Sequence, residues 1–263
     1  MKYEKISLGI GNGELTVYDA DGLSGDAILV IPGGGYANVC SDREGEPIAL
    51  AYLSKGIKPF VLNYSVGKDA AGHQPLVEAS AAIAYIRSTR EKHRVCGKIY
   101  AVGFSAGGHL AASLATMWHR PDVIEKAKIS YGENRPDAVA LCYPVISGVT
   151  MPHLNSFYNI IGTNEPTEEQ LKYYSAEQHV DEKTVPAFLI HTATDDLVPV
   201  ENSLIMAMAY AKNKIPFELH VYPEAPHGIA LANEITSRGN KLWEKPQAAR
   251  WVDDSVYFFK HLS

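Results

Sequence analysis

An α/β fold class, with a mostly parallel central sheet and helices on both faces, is what this sequence predicts. Short apolar runs alternate with stretches of helical spacing from residue 27 onward, the signature of parallel strands joined by crossover helices. The first of them, at 27–31, is continuously apolar, as a strand covered on both faces requires. Over 263 residues, 46% hydrophobic and 21% charged content suffices for the core of one large domain.

The elements follow in order. Residues 3–8 and 14–18 flank Asn12-Gly13, a tight-turn pair, and predict a hairpin that adds an antiparallel edge. Gly9, Gly11 and Gly13 open no helical run, so a nucleotide loop is disfavoured there. Residues 27–31 (AILVI), 58–64, 98–104, 137–143, 187–191 and 217–222 are the expected buried strands. Helices are expected at 46–55, 75–93, 106–119, 203–213 and 248–262. The second carries Leu76, Val77, Ala79, Ala82, Ile83 and Ile86 on one face. Residues 145–185 break the rhythm, with Pro152, Pro166, Gly148, Gly162 and one helical stretch near 168–174. The expectation is a single domain, 1–263, with 145–185 as a lid-like insertion. Its Met151, His153, Phe157, Tyr158, Tyr173 and Tyr174 either pack that insertion onto the sheet or wall a pocket.

Composition narrows the partners. The net charge is -6 and no basic stripe is present, which disfavours nucleic acid. Cys40, Cys96 and Cys142 are too sparse for a disulfide framework and read as free thiols. The first 22 residues contain no long apolar run, so neither a secretory leader nor a membrane span is expected, and the expected compartment is the cytoplasm. No HExxH or clustered His/Cys/Asp set calls for a metal, and no cofactor is expected.

Gly103-Phe104-Ser105-Ala106-Gly107 matches G-x-S-x-G, with an apolar strand before it and an Ala-rich helix after it. The turn should expose the Ser105 hydroxyl and aim the helix N-terminus at a developing negative charge. A serine hydroxyl is a weak nucleophile and needs a base, which in turn needs an orienting acid. Asp195 follows the fifth strand and is the preferred acid; Asp196 is its rival, and either could serve as a turn or helix cap. His227, in Pro226-His227-Gly228 after the sixth strand, is the preferred base. His109 is expected to pack on the sheet, and His119 to serve as a cation at a helix end. His73, His153, His179, His220 and His261 read as surface or loop residues. Pro32-Gly33-Gly34-Gly35-Tyr36 follows the first buried strand. Backbone N–H groups of Gly34, Gly35 and Ala106 are the candidates for an oxyanion hole. The loop lacks the GK[ST] and G-x-G-x-x-G of phosphate-binding loops.

Together these residues resemble the α/β-hydrolase superfamily, and within it the bacterial lipase/esterase proteins related to acetyl-xylan esterases and the hormone-sensitive-lipase-like group. PGGGY at 32–36, GFSAGGHLA at 103–111, DDLVP at 195–199 and PHG at 226–228 match in order, across nearly the whole chain. Leu62-Asn63-Tyr64 resembles the segment after the second strand of these esterases. Pro32 departs from the pattern, since many relatives carry His there. The resemblance implies hydrolysis of short carboxylic esters, with a small acetylated sugar as the expected substrate, by a Ser105–His227–Asp195 acyl-enzyme mechanism. An amidase or peptidase such as an arylformamidase would use the same residues, and a binding protein on the same fold is the rival from another class.

Overall fold

In a computed structural model that describes residues 2–20 and 22–262, the chain folds around one eight-stranded sheet. Its strands are β1 (Lys2–Ser7), β2 (Glu14–Asp19), β3 (Gly25–Ile31), β4 (Lys58–Asn63), β5 (Val95–Phe104), β6 (Ala138–Cys142), β7 (Ala187–Thr192) and β8 (Phe217–Tyr222). They lie in the order β1-β2-β4-β3-β5-β6-β7-β8. From β4 to β8 every neighbouring pair is parallel, whereas β2 runs antiparallel to both β1 and β4. The mostly parallel sheet and its antiparallel edge are those the sequence predicts.

The helices are α1 (Ser41–Glu44), α2 (Glu46–Ser54), α3 (Gln74–Ser88), α4 (Arg90–His93), α5 (Ala106–Met117), α6 (Pro121–Ala127), α7 (Leu154–Ile161), α8 (Glu168–Tyr173), α9 (Glu201–Asn213), α10 (Glu234–Ser237) and α11 (Trp251–His261). Two apolar layers result. Ile83 of α3, Leu110 of α5 and Tyr210 of α9 pack against one face of the sheet. Tyr52 of α2 with Trp251 and Phe259 of α11 pack against the other. β6 and β7 are buried along their whole length, which is why their sequences are unbroken apolar runs.

Several local expectations give way to tertiary contacts. Asn12-Gly13 does not form a two-residue turn. The connection covers residues 8–13, with left-handed Gly9 (φ 66°) and Gly11 (φ 52°) and a bond from Gly13 N–H to Ile10 O (3.0 Å). The Asn12 N–H is drawn instead to the buried Glu78 carboxylate, at 3.0 Å. The helix expected over 75–93 breaks at Thr89, whose hydroxyl bonds back to Tyr85 O at 2.7 Å. α6 and α7 lie where no helix is expected from the sequence reading. The closing helix begins at Trp251 rather than residue 248. Between 145 and 185, Val145, Ile146, Phe157, Ile160 and Tyr174 join the core, while Met151, Leu154 and Tyr173 stay exposed.

Candidate active site

β5 ends at Phe104, and Ser105 takes φ 53° and ψ -118° before α5 begins. Positive φ at a non-glycine residue is strained and needs surroundings that enforce it. Here the neighbouring glycines do so. A Cβ at Gly103 would collide with the Gly107 carbonyl, and one at Gly107 with the carbonyl oxygens of Ile31 and Pro32. Backbone bonds lock the turn: Ser105 N–H donates to Cys142 O (3.0 Å), and Ser105 O accepts from Val145 N–H (3.1 Å).

The three side chains expected to act together form one hydrogen-bonded path. His227 Nδ1 lies 2.7 Å from Asp195 Oδ2, and His227 Nε2 lies 2.9 Å from Ser105 Oγ. Because a carboxylate only accepts, Nδ1 carries the proton and Nε2 is left to accept from the serine hydroxyl. The two aspartates meet different atoms of His227. Asp195 Oδ1 accepts from the N–H of Leu197 (3.0 Å) and Val198 (2.8 Å), so this residue both caps its turn and meets the imidazole. Asp196 Oδ1 accepts the backbone N–H of His227 at 3.0 Å. Burial by itself would raise the Asp195 pKa. Hydrogen bonds from His191 and His227, the charge of His227 and the Val198 N–H outweigh it and hold the carboxyl well below the usual carboxylate range.

His191 was not singled out from sequence. It is fully buried, with Nε2 3.3 Å from Asp195 Oδ2 and 2.9 Å from Val198 O, and Nδ1 2.8 Å from Ser203 Oγ. Its signal was its place at the end of a strand, four residues before Asp195. Tyr143 was also missed; its ring stands edge-on to His227, with centroids 5.0 Å apart.

The glycine loop is anchored at each step. Tyr64 donates its hydroxyl to Pro32 O at 2.7 Å, which gives the Leu62-Asn63-Tyr64 segment a structural role. Gly33 N–H donates to Glu44 Oε2 at 2.8 Å, and Gly35 O accepts from Asn159 Nδ2 at 2.9 Å. Gly34 (φ 126°) and Gly35 (φ 63°) occupy backbone regions that suit glycine. No acceptor among the described residues takes the N–H of Gly34, Gly35 or Ala106. Ala106 opens α5, where an N–H has no intrahelical partner.

Other histidines depart from expectation. His153 is half-buried in place of a surface position, and its Cε1 lies 4.0 Å from where a Gly35 Cβ would stand. Burial, then the nearby charge of His227, lowers its pKa against the opposing pull of Asp195. His73 is buried and stacks on Tyr174 at 4.1 Å. His109 bridges two chain segments, with Nδ1 2.7 Å from Tyr36 Oη and Nε2 2.7 Å from Tyr174 O. His119 approaches Asp181 at 3.4 Å, and burial lowers its pKa, contrary to a helix-end cation. No helix among the described residues is long and apolar enough to cross a membrane.

A strand order with β4 beside β3, a serine on a strained strand-to-helix turn and a histidine and an aspartate beyond later strands define a protein of the α/β-hydrolase fold. More narrowly, the BD-FAE family profile matches residues 17–210, and the chain belongs to that family. It is 41% identical over 222 residues to endo-1,4-β-xylanase B of Butyrivibrio fibrisolvens, a match covering 81% of this chain and 34% of that protein. It is 30% identical over 228 residues to an acetylxylan esterase of Xylanibacter ruminicola, covering 84% of this chain and 44% of that protein. The chain thus spans less than half the length of these curated relatives. Among solved structures, an acetyl ester-xyloside bifunctional hydrolase from Caldicellulosiruptor lactoaceticus is 35% identical. The match covers 95% of this chain and 88% of that one, with a TM-score of 0.77.

Proposed function

We propose that this chain is a serine carboxylesterase that removes short acyl groups, chiefly acetyl, from small carbohydrates. The carrying observation is the Ser105–His227–Asp195 path of 2.9 and 2.7 Å, set beside the uncommitted N–H groups of Gly34, Gly35 and Ala106. His227 Nε2 takes the Ser105 proton as Oγ attacks the ester carbonyl. Asp195 holds the Nδ1–H tautomer and stabilises the imidazolium. The oxyanion meets the free N–H groups at the α5 N-terminus and glycine loop. The proton on Nε2 then passes to the leaving alcohol. Water enters, gives its proton to His227 and releases the acid from Ser105. No cofactor takes part, and the partner is the small ester itself. The relatives named for acetyl-ester and acetylxylan hydrolysis support the choice of acyl group and sugar. His153 over Gly35, on the segment that also supplies Asn159, supports a confined acyl site.

The test is acetate release from acetylated xylo-oligosaccharides, beside acetyl, propionyl and octanoyl p-nitrophenyl esters and N-formylkynurenine. Ser105→Ala is expected to fold and to lose at least about a thousandfold in kcat. Acetyl should exceed octanoyl by at least about tenfold in kcat/KM, or about 1.4 kcal/mol. Near-normal activity without the Ser105 hydroxyl would remove the mechanism. Faster octanoyl turnover would remove the short-chain assignment, and a clear preference for the formamide would favour the amidase.

A further inference from the structure

We propose that Glu44 is a positioning residue for this reaction, whose buried carboxylate fixes the glycine loop and the His227 loop against one another. The inference rests on the esterase reading above. Glu44 is the last residue of α1 and is only 2% exposed. Charged side chains are rarely buried without a compensating partner. No Lys or Arg bridges Glu44 among the described residues; its partners are two neutral donors.

The proton directions follow from the donors present. Tyr143 has one hydroxyl proton, and its oxygen receives the N–H of Ala230 at 3.0 Å. That proton therefore points to Glu44 Oε1, at 2.8 Å. Glu44 Oε2 accepts from Gly33 N–H at 2.8 Å. One oxygen thus holds the loop that carries the candidate oxyanion donors. The other holds Tyr143, whose ring lies edge-on to His227 and whose oxygen anchors Ala230, three residues beyond that histidine.

The contacts at Gly33 are tight. A Cβ there would stand 2.9 Å from Glu44 Oε2, 2.9 Å from Ser105 Cβ and 2.7 Å from Phe104 O. With Gly33 N–H committed to Glu44, the loop turns so that the N–H groups of Gly34 and Gly35 remain uncommitted. The adjacent Arg43 reaches the same side as Tyr143. Its Nη1 donates to Gly228 O at 3.1 Å, and its guanidinium lies 4.5 Å over the Trp243 ring. Two consecutive side chains of one short helix thus tie down the chain on both sides of Ser105.

This makes Glu44 a determinant of transition-state geometry, since misplacing reacting groups by about 1 Å can cost about a hundredfold in rate. Glu44→Gln keeps the volume and one acceptor: its amide oxygen can serve Gly33, but its NH2 cannot accept the Tyr143 proton. Glu44→Ala loses both bonds, and Tyr143→Phe removes the second together with the Ala230 N–H bond to the same hydroxyl. The experiment measures kcat, KM and thermal midpoint for wild type, Ser105→Ala, Glu44→Gln, Glu44→Ala, Tyr143→Phe and the Glu44→Gln/Tyr143→Phe double variant on p-nitrophenyl acetate. It also measures inhibition by phenylboronic acid, which forms a tetrahedral adduct on an activated serine.

Expected for Glu44→Gln are a kcat lower by about ten- to a hundredfold, a KM within about threefold and boronate inhibition weakened in parallel with kcat/KM. The double variant should be no worse than its worse single parent, because both changes break the same chain of bonds. Should Glu44→Ala fail to fold, the near-isosteric Gln and Phe variants still decide. A kcat within about twofold of wild type in Glu44→Gln and Tyr143→Phe, or unchanged boronate inhibition, overturns the inference and leaves the esterase reading standing. Absence of Ser105-dependent hydrolysis in the wild-type protein overturns both.

Discussion

The turn around Ser105 and the segment 145–185 approach the same glycine loop, but different forces hold them. At the turn, backbone meets backbone: a Cβ at Gly103 or Gly107 has no room, and Ser105 sits at positive φ because every neighbour is fixed. The segment is held by side chains instead. Phe157, Ile160 and Tyr174 bury themselves in the core, Asn159 bonds Gly35 O, and Met151, Leu154 and Tyr173 remain exposed. Steric confinement of a backbone allows almost no substitution. Side-chain anchoring lets the exposed face change while the sheet persists. On the proposed function, chemistry belongs to the sterically confined region and substrate fit to the one anchored by side chains.

The comparison breaks first at the partners of the turn. Asp195→Asn should lower kcat by about ten-thousandfold through loss of the Nδ1–H tautomer. Asp196→Asn should cost less than about tenfold, because an amide oxygen can still accept the His227 N–H. Steady-state rates of the two variants under identical conditions check this, and a reversed ranking would reassign the acid. Next comes Gly107→Ala, whose methyl meets the carbonyls of Ile31 and Pro32. Folded protein recovered from this variant should retain less than about a thousandth of wild-type activity, since the turn must open to admit the methyl. Full activity would show the turn to be softer than its contacts imply.

On the segment, effects should be smaller. Asn159→Ala frees Gly35 O and should lower kcat/KM by about fivefold, the scale of one neutral hydrogen bond of about 1 kcal/mol. The thermal midpoint should move by only a few degrees. A loss as deep as that of Gly107→Ala would mean that the segment belongs to the rigid region.

The last effect concerns the link between the two regions and falls on stability, leaving the catalytic rate aside. His109 of α5 donates Nε2–H to Tyr174 O and accepts from Tyr36 Oη at Nδ1. Burial pushes its pKa down to about 4 from 6.5, with the Tyr174 carbonyl opposing and His179 adding slightly. Between those values the unfolded chain binds a proton that the native state refuses, so acidification through this window lowers stability. The loss is about 2 kcal/mol at pH 5. His73, also pushed down by burial, acts in the same direction, whereas Asp195 titrates below the window. Thermal midpoints at pH 7, 6 and 5 should decline less steeply for His109→Gln than for wild type. Equal slopes would remove His109 as a source of the acid sensitivity.

Much of the fold was legible because its signals are local. β3, β6 and β7 contain apolar runs that need no partner to be recognised, and α5 declares itself by its Ala and Leu. α7 was harder to read: Leu154, Phe157, Ile160 and Ile161 recur at helical spacing, but a run of eight residues is too short to hold a helix without packing Phe157 and Ile160 into the core. The hairpin turn was misplaced for a related reason: Glu78, 66 residues away, captures the Asn12 N–H and overrides the local preference of Asn-Gly.

The amino-acid sequence by itself determined the α/β class, the antiparallel edge, the family and the order in which Ser105, Asp195 and His227 occur, since each depends on residue type and short spacing. Only the tertiary structure decided which aspartate faces the imidazole, because adjacent side chains leave one turn in different directions and meet different atoms of His227, the ring Nδ1 for Asp195 and the backbone N–H for Asp196. It alone joined Glu44 to Tyr143 across 99 residues, Asn159 to Gly35 across 124 and His109 to Tyr36 across 73. These are contacts between single polar atoms brought together by the strand order. Such a contact leaves no periodic or compositional trace in the chain, because a lone Glu, Asn or His looks the same in sequence whether it meets water or a buried donor.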